Sequence, residues 1–288
     1  MTSKKTILLY GRTRAGKSTQ IGELAEFVRK TEGKITRLYT ADRGGTDPIR
    51  PYIDLGIIHV VEQGDTDPWI FLHNAALGRV RDDNGKWVDG KDEIGMYAFE
   101  SMTAFADALM LDMAKKAAAN INIGGSANVS FDVAGDGEKL KVSGNNMAHF
   151  GVAQNRITEE VWQSQKLNAP YILWTASASK DDDTEAAGKV IGPAIVGKSK
   201  TAEIPRWFRY SFRIDALPAR DGQAERHILY LGNHVDIGAG GAVGLGNTRT
   251  PLDSSPLPTT IEPASIVKAL QLIDGSYQQA LDKIRKRL

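Results

Sequence analysis

Short apolar runs alternate with amphipathic segments along most of the chain. Strands are expected where β-branched and aromatic residues cluster, and helices where apolar residues recur at i, i+3, i+4 and i+7. The predicted strands are 6–10, 35–40, 57–61, 94–99 and 171–176, followed by an antiparallel pair at 208–214 and 227–231. The predicted helices are 18–30, 68–79 and 102–119, with a short helix or turn at 48–55 and a helix that ends within 162–167. Repeated strand–helix units predict an α/β fold with a mostly parallel sheet, flanking helices and a ligand site at the carboxyl edge of the sheet.

Two segments interrupt this pattern. Residues 120–146 alternate apolar and polar positions around glycines, which predicts an inserted hairpin of Asn128–Val133 against Lys139–Val142, turned by residues 135–137. The alternative for this glycine-rich stretch is a flap without regular structure.

The second interruption is rich in glycine and proline, and its composition predicts an extended linker over 237–263. The predicted organisation is therefore a core at 1–236, this linker, and a C-terminal helix at 264–288. The basic end of that helix, Lys283–Arg287, suits the helix dipole as a solvated tail, with contact to a partner or DNA as the alternative.

Composition excludes several classes of function. The 288 residues carry a net charge of +1 and include no cysteine, so disulfides, thiolate metal sites and cysteine nucleophiles are ruled out. Any nucleic-acid site must be a local basic patch. Neither a long apolar run nor an apolar signal region is present in the sequence, so a cytosolic protein without membrane contact is expected.

The most informative motif is Gly-Arg-Thr-Arg-Ala-Gly-Lys-Ser at residues 11–18, which fits G-x-x-x-x-G-K-[ST]. It follows a predicted strand and opens a predicted helix, as a phosphate loop requires, and this context disfavours a chance glycine turn. Backbone N–H groups and the helix N-terminus would hold phosphate oxygens, while Lys17 would reach the β- and γ-phosphates and Ser18 would bind Mg²⁺. The predicted nucleotide contacts are Gly11, Arg12, Thr13, Arg14, Ala15, Gly16, Lys17, Ser18 and Thr19.

Acidic residues follow two of the predicted strands. Asp42 comes after the predicted strand 35–40, and Glu100 comes directly after the predicted strand 94–99. Nucleotide hydrolases use one such acid for Mg²⁺ and another for the attacking water, although either residue alone could be an ordinary loop acid.

Several stretches resemble the RecA-type ATPases. They are Tyr39–Pro48, Glu100-Ser101-x-Thr103-Ala104, Tyr171–Ser177, Gly188–Asp215 and Gly246–Pro251, in the family order. The overall similarity is greatest to phage-encoded RecA-like ATPases of single-strand annealing. The resemblance implies a RecA-like P-loop core that uses ATP and Mg²⁺, acts on single-stranded DNA in recombination or replication, and assembles into a ring or filament, in the cytoplasm of a bacterial host if phage-encoded.

The same resemblance assigns roles to individual residues. Asp42 would activate water, Glu100 would bind the metal, Thr175 would sense the nucleotide, and Arg249 would enter a neighbour's site. The chain departs from the family pattern at three points. Glu100 stands where Asp is usual, alignment on Asp47-Pro48 puts Arg43 at the activating position, and Thr175 and Ser177 replace Gln or His. Glu62 and Asp47 are the next candidates for the activating acid.

The stretch from Lys189 to Arg213 contains six basic residues and only one acidic residue, Glu203. Lys189, Lys198, Lys200 and Arg206 are the predicted nucleic-acid contacts, and the interleaved rings of Trp207, Phe208 and Tyr210 either stack on bases or belong to the core. The alternatives to a DNA-dependent ATPase are a P-loop motor or switch with a protein partner, for DNA packaging or helicase loading, and, less favoured, a small-molecule kinase.

Overall fold

The structure is a computed structural model that describes residues 4–42, 44–118, 127–132, 139–144, 147–181, 190–195, 202–219, 224–232, 234–236, 242–244, 247–248 and 256–287. The strands in the first half of the chain are β1 Lys5–Gly11, β2 Ile35–Thr40, β3 Ile58–Glu62, β4 Arg79–Arg81, β5 Trp87–Asp89, β6 Ile94–Glu100, β7 Ala127–Asp132 and β8 Lys139–Gly144. Those in the second half are β9 Tyr171–Asp181, β10 Val190–Ala194, β11 Tyr210–Leu217, β12 Arg226–Tyr230, β13 His234–Asp236, β14 Ala242–Gly244, β15 Asn247–Thr248 and β16 Thr260–Ile261. The α-helices are α1 Lys17–Glu32, α2 Arg50–Asp54, α3 Pro68–Ala76, α4 Met102–Ala118, α5 Met147–Ser164 and α6 Ile266–Arg287, and Asp47–Ile49 and Ile204–Trp207 are short 3-10 helices.

The described strands build one large sheet around a parallel centre. Six neighbouring strands run parallel in the order β3, β2, β6, β9, β1, β11. Antiparallel β12 and β16 extend the sheet beyond β11, and β10, β14 and β13 continue it from the end of β9. The phosphate-loop strand β1 is therefore central, with β9 on one side and β11 on the other.

Helices cover both faces of this sheet. One face packs against α3, α4 and α5 and contains stacked rings, including Phe99 on Trp174 at 4.3 Å between centroids. The other face packs against α1 and α6 through residues such as Leu24 and Leu270. The predicted α/β fold class is confirmed: a mostly parallel sheet with flanking helices.

The inserted hairpin predicted at 120–146 is also confirmed. β7 pairs antiparallel with β8, and Val129 lies opposite Val142. The predicted turn at 135–137 and the end of the first predicted strand at Val133 lie outside the described residues.

The segment predicted as an extended linker contributes strands to the sheet. β14 pairs with β10, β15 with β11, and β16 with β12, so these parts of 237–263 are joined to the core by backbone hydrogen bonds. Strands of two or three residues are too short to produce a period in the sequence. The predicted C-terminal helix is confirmed as α6, and the proposed division into three domains stays a prediction.

The basic end of α6 is solvent-exposed over the described side chains Lys283–Lys286. None of the described helices has the length and apolar character needed to cross a bilayer.

Candidate functional site

The phosphate loop connects the end of β1 to the start of α1. Gly11 pairs with Ile214 of β11, and a Cβ on Gly11 would overlap the carbonyl oxygen of Ile214, so only glycine fits there. Arg14 and Gly16 have φ values of 65° and 95°, in the left-handed region. This conformation suits Gly16 and is uncommon for Arg14. The loop thus has the special backbone shape that the motif predicts.

Lys17 begins α1, and its ammonium group folds back over the loop. Its Nζ donates to the carbonyl oxygens of Gly11 and Arg12, at 3.0 Å each. Burial lowers the pKa of Lys17, while the nearby carboxylates of Glu100 and Asp42 raise it. The structure therefore places Lys17 between the loop backbone and both predicted acids.

Ser18 and Glu100 meet directly although they lie 82 positions apart in the chain. The Ser18 hydroxyl donates to Oε1 of Glu100. Glu100 is only 3% exposed, and its second carboxylate oxygen, Oε2, is buried without a hydrogen-bond partner. A buried carboxylate oxygen without a partner is costly, and a hard cation is one way to satisfy it.

The pKa of Glu100 is strongly perturbed. Burial, with a smaller contribution from the negative charge of Asp42, raises the pKa of Glu100 to about 7, although the Ser18 hydrogen bond and the charge of Lys17 lower it. Since burial disfavours the charged form, the pKa places the change of protonation state of Glu100 near neutral pH.

Asp42 reaches the same place from the end of β2. Gly45 lies between the two acids: a Cβ at Gly45 would be 3.3 Å from Cδ of Glu100 and 3.4 Å from Oδ2 of Asp42. The other oxygen of Asp42, Oδ1, accepts from the N–H of Gly44 at 3.1 Å. The structure therefore brings the two predicted acids together around a glycine turn, with Asp42 exposed and Glu100 buried. Arg43 lies outside the described residues.

Glu62 and Asp47, the other candidates for the activating acid, lie nearby. Glu62 ends β3 and lines a pocket of about 320 Å³ together with Asp42, Thr40 and Gln63. Asp47 begins the short 3-10 helix after the glycine turn and is exposed.

Thr175 lies within β9 and not at the end of this strand. It pairs with Leu9, while Ser177 pairs with Gly11 at the level of the loop. Because Phe99 pairs with Trp174, Glu100 and Thr175 follow as neighbours on the α1 side of the sheet. Thr175 is fully buried and its Oγ1 has no hydrogen-bond partner, so it adds a second such oxygen beside the Glu100 carboxylate.

The oxygen donors fit Mg²⁺. Hydroxyl and carboxylate oxygens are its usual protein ligands, and it is commonly held by one or two carboxylates together with substrate phosphates. Ser18, Glu100 and, behind them, Thr175 provide such donors. Within the ranges that the structure covers, no cluster of three or more His, Asp or Glu side chains could bind a metal ion.

A second pocket adjoins the phosphate loop on the opposite side of β1. Its volume is about 330 Å³. It is lined by Gly16, Thr19, Gln20, Ile214, Glu225, Arg226, His227, Glu262, Pro263 and Ala264. The acids stand over β6 and β2, whereas this pocket stands beside β11 and β12. The loop thus has carboxylates at one end and an open pocket at the other.

Of the predicted nucleic-acid contacts, the structure describes Arg206 alone. It lies in the 3-10 helix before β11, and Tyr210, which follows it, pairs with Ile7 near the start of β1. Arg206 is exposed but sits at the amino edge of the sheet, opposite the phosphate loop. Lys189, Lys198 and Lys200 lie outside the described residues.

The aromatic residues of the same stretch belong mainly to the core. Phe208 and Tyr210 are each 1% exposed, and Trp207 packs partly buried against the same interior. Base stacking by Phe208 or Tyr210 is therefore excluded in this fold, which resolves the two interpretations of these rings in favour of packing.

Arg249 also lies outside the described residues, but its neighbour is placed. Thr248 pairs with Tyr210, at the amino end of β11, while the phosphate loop lies level with Ile214. Thr248 thus lies at the edge of the sheet opposite the phosphate loop.

Thr103 belongs to the stretch 100–104 that resembles the RecA-type pattern, and the structure gives it a role. It accepts from the N–H of Ser177 at 3.0 Å and donates to the carbonyl of Ala194 at 2.6 Å, which ties α4 to β9 and β10. Two other residues of the site carried no sequence signal. His227 contacts the carbonyl of Ala15, and Gln20 joins α1 to the start of α6. Both are single polar residues in an otherwise ordinary strand or helix, so nothing in the sequence distinguishes them.

Comparisons with known proteins add two solved structures. The RadB recombinase aligns over 84% of this chain and 90% of its own, with a TM-score of 0.42 and 12% identity. A KaiC-like protein from the hyperthermophilic archaeon Pyrococcus horikoshii OT3 aligns over 78% and 77%, with a TM-score of 0.39 and 10% identity. No protein-family model and no curated protein sequence matches the chain. At these scores the fold class rests on the sheet order and the phosphate loop described above.

Proposed function

We propose that the protein binds ATP with Mg²⁺ and hydrolyses it. The observation that carries the proposal is the contact between Ser18 and Glu100 beside Lys17. A phosphate loop, its lysine, its hydroxyl and a buried strand-end acid occupy one place, which is the arrangement needed to hold and neutralise a triphosphate.

Each residue has a task in this scheme. Backbone N–H groups of residues 11–19 and the start of α1 bind phosphate oxygens. Lys17 neutralises charge on the β- and γ-phosphates, and Ser18 and Glu100 hold the metal, which supplies Lewis-acid stabilisation when bound. Asp42, exposed and across Gly45 from Glu100, orients the attacking water.

The two ends of the loop give the nucleotide its direction. The acids lie on the β6 side of β1, so the γ-phosphate belongs there. The pocket beside Gly16 and Thr19 lies on the β11 side and accommodates the nucleoside. Thr175, which is buried near Glu100, is proposed to sense the γ-phosphate indirectly.

The finer function is action on single-stranded DNA in recombination or replication, by a ring or filament of this chain. Its support is the run of basic residues Lys189, Lys198, Lys200 and Arg206 in the sequence and the resemblance to phage-type RecA-like proteins. Arg213, at the end of the same stretch, is buried and paired with Asp215 and adds nothing to this surface. Arg249 fits a role in a neighbouring subunit, because the residue before it stands at the edge opposite its own loop. A cytoplasmic location, in a bacterial host if a phage carries the gene, belongs to the same proposal.

The test is ATP hydrolysis measured with and without Mg²⁺ and with and without single-stranded DNA, alongside equilibrium ATP binding. Mg²⁺-dependent binding and DNA-stimulated turnover are the expected results. Binding and turnover that ignore DNA would favour the motor or switch with a protein partner. An absence of ATP binding would overturn the proposal.

A further inference from the structure

We propose that His227 is a positioning residue that holds the phosphate loop in the shape that binds phosphate. The inference rests on the proposed nucleotide binding and deepens it. His227 lies 212 residues after Ala15, yet its Nδ1 stands 3.1 Å from the Ala15 carbonyl oxygen. Because a carbonyl oxygen only accepts, Nδ1 carries the proton and donates.

The geometry of the peptide bond gives this contact its effect. The bond between Ala15 and Gly16 is trans, so the Ala15 C=O and the Gly16 N–H point in opposite directions. Holding the oxygen toward β12 turns the Gly16 N–H away from β12, over the loop. Arg14, two residues before Gly16, has a φ of 65°, which is uncommon for a residue with a side chain, so contacts from outside the loop help to keep this part of the backbone in its conformation.

The ring of His227 also packs over Gly16. A Cβ at that position would lie 3.4 Å from His227 Nδ1 and 3.6 Å from Cδ1 of Ile214. Together these two side chains close the outer side of the loop, where they form one wall of the pocket beside Thr19.

His227 is itself held firmly. It belongs to β12 and pairs with Ala216 of β11. Its backbone carbonyl accepts from the N–H of Ala264 at 2.8 Å, and the Ala264 carbonyl accepts from Nε2 of Gln20 at 3.2 Å. Gln20 follows the phosphate loop on α1, and its Oε1 accepts from the N–H of Ile266 at 2.6 Å. A closed circuit of hydrogen bonds thus joins the loop, β12, the start of α6 and α1.

The contact predicts a specific defect. His227→Phe keeps a ring over Gly16 but leaves the buried Ala15 carbonyl without its donor, which should weaken phosphate binding by about tenfold. His227→Asn places an amide N–H near the position of Nδ1 and should bind within about threefold of the wild type. His59→Phe is the matched control, because His59 lies on β3, far from the loop, and contacts Asp92.

The experiment measures the dissociation constants of ATP and of tripolyphosphate for the wild-type protein and these variants, with thermal melting to confirm folding. Tripolyphosphate lacks a nucleoside, so it reports on the loop alone. We expect His227→Phe to weaken both ligands by the same factor, and His227→Asn to restore both. Weakening of ATP alone would show that His227 touches only the nucleoside and would overturn the proposal, as would unchanged binding of both ligands.

The proposed function fails in a different way. If the wild-type protein binds neither ATP nor tripolyphosphate, nucleotide binding itself is wrong and the role of His227 falls with it. If the wild type binds both and His227→Phe behaves like His59→Phe, only the positioning role is wrong.

Discussion

The hydroxyl of Ser18 donates a hydrogen bond to the carboxylate of Glu100, and this contact joins the phosphate loop to the end of β6. It brings together the two predicted metal ligands, Ser18 after β1 and Glu100 at the end of β6, although β9 lies between these strands. The departure from Asp to Glu at residue 100 therefore does not separate the carboxylate from the loop, because the longer side chain still reaches Ser18.

Lys17→Ala should abolish nucleotide binding while the fold persists. The variant removes a charged donor that would contact two phosphates, and charge-assisted hydrogen bonds of this kind contribute about 1.5–3 kcal/mol each. We expect ATP affinity to fall by at least tenfold, measured by equilibrium titration. Lys30→Ala is the control, since Lys30 lies exposed on the same helix in an ion pair with Glu26. Equal affinity of Lys17→Ala and Lys30→Ala would contradict the assignment.

Glu100→Gln should make the nucleotide-free protein more stable at high pH. The pKa of Glu100 is about 7 in the folded chain against 4.5 unfolded, so the native state binds more protons between these values. The wild-type free energy of unfolding therefore falls as pH rises from 4.5 to 7, by about 3 kcal/mol at most. Gln does not ionise and avoids this loss. Denaturant unfolding at pH 5 and pH 8 tests it: the variant should gain stability relative to wild type only at pH 8.

The binding of Mg²⁺ with ATP should depend on pH through the same residue. Below pH 7 a proton must leave Glu100 before the carboxylate can bind a cation, so affinity should fall by up to about tenfold per pH unit. Above pH 7 the dependence should level off. Titrations between pH 5.5 and pH 8.5 measure this, and a Glu100→Gln variant with the same pH profile as wild type would assign the effect to another group.

Asp42→Asn should bind ATP and hydrolyse it slowly. Loss of the group that orients or deprotonates water lowers turnover by about 10²-fold or more, without removing a phosphate contact. Asp54→Asn is the control, because Asp54 is exposed on α2 in an ion pair with Arg50. Full turnover by Asp42→Asn would move the role to Glu62, which ends the neighbouring strand β3 and shares a pocket with Asp42.

Arg249→Ala should bind ATP normally but hydrolyse it poorly, because its charge is proposed to complete a neighbour's site. Mixed with the inactive Lys17→Ala protein, it should recover part of its activity, since each subunit supplies what the other lacks. The measurement is ATP turnover at several mixing ratios, with Arg285→Ala, an exposed arginine of α6, in place of Arg249→Ala as control. Full turnover by Arg249→Ala alone would remove the main support for a shared site.

The fold was predictable where a period or motif extends over many residues. Helix α1 was predicted at 18–30 and is observed at Lys17–Glu32. β9 runs five residues beyond its predicted end at residue 176, because antiparallel β10 supplies hydrogen bonds along its last part. That extension depends on pairing with β10, which the residues of β9 alone do not indicate, so the local sequence could not reveal it.

The site shows the same division. The loop residues follow from one contiguous motif, and Asp42 and Glu100 follow from their places at strand ends. His227 was missed because its contact with Ala15 spans most of the chain and requires the order of the strands to be known first. The rings at Phe208 and Tyr210 have the sequence pattern of a stacking surface, and only their burial reveals their role in packing.

The bonds that Lys17 and Ser18 already make have a consequence for recognition. Lys17 donates to the carbonyls of Gly11 and Arg12, and Ser18 donates to Glu100, so both side chains already have hydrogen-bond partners within the chain. A triphosphate that binds here would find Lys17 and Ser18 already ordered and would replace their present hydrogen-bond partners. The free energy of binding is then the difference between the bonds that Lys17 and Ser18 make with the triphosphate and the bonds that they make within the chain. Because the two side chains are already held by these partners, little side-chain conformational entropy should be lost when a triphosphate binds.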